Sequence, residues 1–221
     1  MNIHYTQIRK TISTLAARRD GFQVFGAKEH QFKLHPVLTE QEIQEFEHKH
    51  QISLPEEYRD FLLQVGNGGA GPAYGLFKLG EMDNGWRYAK WKENNGFVGI
   101  LALPFPHTEA WNDLQGEPDY DLEDEDELER QVTAFEANYF NPNQVNGAIP
   151  ICHLGCAFRQ WLIISGPERG NVWCDDRTDH KGLYPLQKDD KPRMKFIDWY
   201  LTWLNEVTDE INFGNKGSSH N

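Results

Sequence analysis

The chain has 221 residues, a formal net charge of -12, and seven Trp and thirteen Phe. A chain of this length buries roughly 70% of its unfolded surface, so one aromatic-rich core suffices without disulfide or metal staples. No apolar run reaches the ~18 residues that span a membrane, and the negative field repels nucleic-acid phosphates, which argues against membrane and direct DNA or RNA roles.

In chain order, Ile3, Ile8, Ile12 and Leu15 fall on one face of a predicted amphipathic helix, with Arg9, Lys10, Arg18 and Arg19 elsewhere and Asp20-Gly21 as its stop. It lacks the aromatic wedge of a membrane-surface helix, so it is expected to pack on the domain. Residues 22–25 and 31–34 read as a short hairpin. Together, residues 1–35 form a lead-in to a domain predicted over 36–211, with a tail at 212–221.

Thr39 followed three residues later by Glu42 is a capping box, which fixes a helix start near Glu40. Ile43 and Phe46 share its apolar face, and Leu54-Pro55 opens a second helix carrying Tyr58, Phe61, Leu62 and Val65. Residues 66–71 (Gly-Asn-Gly-Gly-Ala-Gly) close that helix, with Asn67 suited to a left-handed backbone, and lead to a predicted strand around residues 74–77.

An insert then runs over about 81–147. It begins with Trp86, Tyr88 and Trp91, continues into an apolar run at 97–103 read as a strand stopped by Pro104 and Pro106, and includes Trp111. Residues 117–129 hold nine acids and no base (Glu117, Asp119, Asp121, Glu123, Asp124, Glu125, Asp126, Glu127 and Glu129), leaving only -3 for everything else. Leu128, Val132 and Phe135 recur at helical spacing, so acids occupy the start of that helix, where its dipole favours them. Residues 149–154, 160–165 and 171–174 read as strands, the last two joined as a hairpin by residues 166–170. Phe196, Trp199, Tyr200, Trp203, Leu204, Val207 and Ile211 make a broad stripe on a final helix. Helices first, strands in the middle and a helix last predict an α+β fold.

Phe46-Glu47, Leu54-Pro55, Tyr58, Phe61-Leu62 and Asn67-Gly68-Gly69 follow one another in the first half of the chain. Trp161-Leu162-Ile163-Ile164, Gly170-Asn171-Val172-Trp173 followed by acid, and Phe196-Ile197-Asp198-Trp199 follow in the second. In order and spacing this set resembles the SUKH superfamily of Smi/Knr-type domains over roughly residues 38–207, with the insert unmatched. The resemblance implies a mostly antiparallel central sheet flanked by helices. In bacteria it implies a cytoplasmic immunity protein that binds and neutralises a polymorphic toxin domain, frequently a nuclease, by covering its active surface. A regulatory or scaffolding role, as in fungal cell-wall synthesis, is the alternative.

The residues offer little chemistry to set against that reading. Residues 66–71 match the glycine pattern of dinucleotide-binding loops, but they follow a helix and precede a strand, the reverse of the order that places a helix N-terminus on phosphate. Cys152 and Cys156, with Cys174, lack the paired spacing of a closed zinc site. Their odd number, with no basic and apolar leader, fits a reducing cytosol. Asp175, Asp176, Asp179 and His180 follow a strand end and are the set on which a small enzyme would depend, although they match no known signature. No cofactor or metal is therefore expected. The acidic segment is either a solvated stretch or a docking surface for a basic partner, with Trp86, Trp91 and Trp111 as candidate anchors beside it.

Overall fold

The computed structural model describes residues 5–18, 23–83, 88–188 and 193–214. Ile3, Arg19, Asp20, Gly21, Phe22, Trp86 and the tail from residue 215 lie outside them. Among the described residues the fold is α+β, with six α-helices and two antiparallel sheets.

The first helix, α1 (Tyr5–Ala16), buries Tyr5, Ile8, Ile12 and Leu15 and lies against α4, where the Tyr5 hydroxyl donates to the Glu57 carbonyl. Arg18, just past it, donates to Asn212 Oδ1 and to the carbonyl of Ile211 in the last helix. In place of the expected hairpin the chain forms a short helix, α2 (Ala27–His30). The cause is Gly26, whose φ of 73° and contact with the Ala73 carbonyl turn the backbone where a Cβ would collide at 1.9 Å.

Helix α3 (Glu40–His50) starts at the predicted capping box: Thr39 accepts from the Glu42 N–H and Glu42 from the Thr39 N–H. Pro55 is the N-cap of α4 (Glu56–Gln64), which buries Tyr58, Phe61 and Leu62. Beyond α4, Gly69 bridges both Leu34 and Leu76, and Leu76 bridges Cys152. This replaces the predicted strand at 74–77, because the chain meets its neighbours one residue at a time. Gly69 has a φ of 103°, and a Cβ there would sit 2.4 Å from the Lys33 carbonyl, so only glycine allows the crossing. Asn67 is not left-handed, as the sequence suggested; its Oδ1 accepts instead from the Leu79 N–H at 2.8 Å.

The insert contributes an antiparallel strand pair the sequence did not announce, β1 (Glu81–Asp83) with β2 (Tyr88–Lys90). The run at 97–103 is no strand: Ile100 and Leu101 give their N–H groups to the side chains of Asn146 and Glu93, Leu103 turns back onto the Ile100 carbonyl, and Val98 and Leu101 are buried. Helix α5 (Glu125–Tyr139) follows with Asp124 as N-cap.

The main sheet runs in the order β3 (Ala148–Gly155), β4 (Phe158–Ile163), β5 (Val172–Asp175), β6 (Leu183–Pro185), all antiparallel. Trp161 pairs with Trp173 and Arg159 with Asp175, so these four side chains share one face, while Gln160, Leu162, Val172 and Cys174 share the other. Both faces are buried. The first is covered by the insert, with Phe105 4.8 Å from Trp173 and Phe97 and Phe140 over the two neighbouring arginines. An antiparallel sheet commonly leaves one face to water; here the insert is a packed layer. Helix α6 (Phe196–Gly214) buries all seven residues of its predicted stripe and sets Phe196 and Tyr200 edge-on to Phe61.

Candidate partner-binding surface

The acidic segment is built in two pieces. Residues 117–121 are tied down by turn chemistry: Asp119 accepts from the Asp121 N–H at 3.2 Å, and Gln131 accepts from the Asp119 N–H at 3.1 Å. Glu117 reaches across to His180 Nδ1 at 2.8 Å. The second piece is the start of α5, where Asp124 caps the Glu127 N–H at 3.0 Å and Glu127 pairs with Arg130 at 2.8 Å.

Four of the nine acids therefore hold the segment in shape. The remaining five (Asp121, Glu123, Glu125, Asp126 and Glu129) are exposed and have no side-chain bond among the described residues. Helix α5 anchors the surface through Phe135 and Tyr139, which stack on each other at 5.0 Å, with Tyr139 also on Trp111 at 5.5 Å. Five like charges thus stand on a fixed base, which lowers the ordering cost of binding.

Trp111 is half-buried, stacked on His107 at 5.1 Å and paired through its backbone with Leu183. Trp91 is half-buried between Phe46 and His50, with its indole N–H enclosed and without a partner among the described residues. Each presents only part of a ring to a partner, and Trp86 lies outside the described residues. The motif residues serve the core: Leu54, Tyr58, Phe61, Trp173 and Trp199 are buried, and Trp173 donates its indole N–H to Glu168 at 3.2 Å.

The 175–180 loop is occupied by structure. Asp175, 5% exposed, accepts from Trp161 Nε1 at 3.0 Å and from Arg177 Nε and Nη2 at 2.8 and 2.7 Å. Asp176 accepts from the Tyr184 hydroxyl, Asp179 pairs with Lys181, and His180 with Glu117. These partners leave no free base beside a nucleophile in this loop.

Cys152 and Cys174 are buried, and burial raises both thiols, Cys174 to about 11, far from the thiolate that metal binding or nucleophilic attack uses. Cys156 is exposed. Among the described residues no three His, Cys, Asp or Glu side chains converge as a metal set, and no helix is long and apolar enough to cross a membrane.

A cleft of about 570 Å³ lies beside Gly69, lined by Lys33, His35, Tyr74, Phe77 and Lys78 with Glu29 and Glu81. Its cations and carboxylates balance, and burial lowers the His35 pKa, so it carries no strong net field. A second cavity, between the insert and the sheet, gathers Arg159, Arg177, Phe97 and Phe140. No motif announces it, because its residues come from four separate segments.

No curated protein and no solved structure matches the chain. The family model described as SMI1 / KNR4 family (SUKH-1) matches residues 37–189, which run from the capping box of α3 to just past β6. With that match over more than half its length, and with the two-helix, glycine-crossing and antiparallel-sheet order described above, the chain belongs to the SMI1 / KNR4 family (SUKH-1).

Proposed function

We propose that the chain is a non-catalytic immunity protein that neutralises a basic toxin domain, a nuclease for preference, by occluding its active surface. The observation that carries this reading is the group of five unpaired acids standing on the anchored start of α5 and the loop before it. A nuclease active surface is positively charged to hold phosphates, and an acidic surface of fixed geometry competes for it. Such complementarity acts mainly on the association rate, by roughly 10- to 1000-fold, and weakens with salt.

Family membership supports a domain of this kind. The occupied state of the 175–180 loop argues against a catalytic role there. Three unpaired thiols favour a reducing, cytosolic setting.

The test is growth rescue by this chain of cells expressing a basic toxin domain encoded beside it, followed by association kinetics over a range of salt. Replacing Asp121, Glu123, Glu125, Asp126 and Glu129 with Asn or Gln is expected to slow association at least tenfold at low salt and flatten its salt dependence. Rescue with unchanged kinetics in that variant removes the acidic surface from the mechanism. A partner that binds without being a toxin, with growth unaffected, moves the assignment to a regulatory role.

A further inference from the structure

The cavity between insert and sheet has a volume of about 220 Å³ and is lined by Phe97, Phe140, Arg159, Trp161, Asp175 and Arg177. Each arginine lies against one of the rings, Arg159 5.0 Å from the centroid of Phe97 and Arg177 5.5 Å from that of Phe140. Each is bound bidentately to a carboxylate, Arg159 to Asp83 at 3.2 and 3.0 Å and Arg177 to Asp175 at 2.8 and 2.7 Å. A third N–H of each goes to a backbone carbonyl, that of Ala157 or Tyr139. A guanidinium has five N–H donors, so two remain on each arginine.

The chemistry of the lining restricts the occupant. Both arginines are already neutralised, so a carboxylate entering this desolvated space would bring uncompensated charge. The groups left over are mostly donors, because the Asp175 oxygens accept from Trp161, from the Arg177 side chain and from the Arg177 N–H, while the Thr178 hydroxyl, which donates to the Cys156 carbonyl, keeps an oxygen that can accept. The occupant must therefore accept. Phe97 is 50% exposed at the rim and Phe140 is half-buried, which suits a flat apolar body. A phenol meets all three conditions: it is neutral, it is a ring, and its oxygen accepts.

One further feature speaks for use rather than stability. Buried ion pairs seldom outdo apolar packing of the same volume, yet two surround this one cavity. The β3–β4 turn at its edge also keeps Cys156 and Ala157 left-handed, at φ 50° and 65°. It is held by Thr178 on the Cys156 carbonyl and by Arg159 on that of Ala157. Both residues take the positive φ that a two-residue hairpin turn requires.

We infer that this cavity is an anchor pocket for one tyrosine side chain of a partner protein, its ring against Phe97 and Phe140 and its hydroxyl oxygen accepting from Arg159 and Arg177. The inference rests on the reading of the chain as a protein-binding module. It places a desolvated anchor at the C-cap of α5, about 22 Å along the same helix from the acids of its first turn.

The test is an NMR titration of the full chain with N-acetyl-tyrosinamide, followed at the assigned indole N–H of Trp161. A saturable shift is expected, with N-acetyl-phenylalaninamide several-fold weaker and the amide of N-acetyl-glutamate leaving the resonance in place. Phe97→Ser, checked for an unchanged melting temperature, should bind about tenfold more weakly. An unmoved Trp161 resonance, equal binding of the glutamate probe, or undiminished binding by the folded Phe97→Ser variant overturns the assignment. The probe needs no toxin, so such a failure leaves the acidic surface to be judged by its own kinetics.

Discussion

Asp175→Asn is the most exacting probe of the buried face. Asp175 and Arg177 are 5% and 4% exposed, and three of the bonds to the carboxylate come from the Arg177 and Trp161 side chains at 2.7–3.0 Å. An asparagine keeps one accepting oxygen and turns an NH2 toward donors, while Arg177 loses its counter-charge in a desolvated setting. Breaking a buried pair in this way costs about 3–5 kcal/mol. At about 2–4 °C per kcal/mol for a domain of this size, the melting temperature should fall by roughly 10 °C. Urea unfolding followed by tryptophan fluorescence measures the free-energy loss, since Trp161 and Trp173 are buried. An Asp175→Asn protein within about 1 kcal/mol of the parent would refute the reasoning.

Gly69→Ala should destabilise by more than about 2 kcal/mol or prevent folding, whereas Gly116→Asn, also at positive φ but with open space around it, should stay within about 0.5 kcal/mol; chemical denaturation compares the two. Thr39→Ala removes the α3 cap and should cost about 1 kcal/mol, read as a lower denaturation midpoint with unchanged slope. Burial lowers the pKa of His30 from 6.5 to about 4, and its Nδ1 accepts from the Phe32 N–H, which requires the neutral ring. The unfolded chain takes up this proton first, so the contribution is complete above pH 6.5 and is lost as pH falls toward 4, by about 3 kcal/mol. Stability measured from pH 7 to 4 should show this loss, and His30→Asn should flatten it.

Local signals were read where a residue acts on its own neighbours. The Thr39–Glu42 box, the acids in the first turn of α5, the α6 stripe and the β4–β5 hairpin were all legible, because capping, periodicity and turn chemistry operate within a few residues. Of the candidate surface, the acids were visible as a block. Their division into four that bind the fold and five that stand free depended on His180, Gln131 and Arg130, the first of them 63 residues from its partner.

The misreadings share one cause. Residues 97–103 look like a strand because they form an apolar run, but Asn146 takes the N–H of Ile100 and Glu93 that of Leu101, and no local rule reports that. The hairpin expected before α3 gave way to a helix because Gly26 must pass the Ala73 carbonyl.

The sequence by itself determined the helices other than α2, the β4–β5 hairpin and the family, since these follow from side-chain period and from motifs in order. Only the tertiary structure decided that the insert covers a sheet face and that Arg159 and Arg177 meet Phe97 and Phe140 around one cavity. Those contacts join residues far apart in the chain, where burial and hydrogen-bond satisfaction are set by the whole fold.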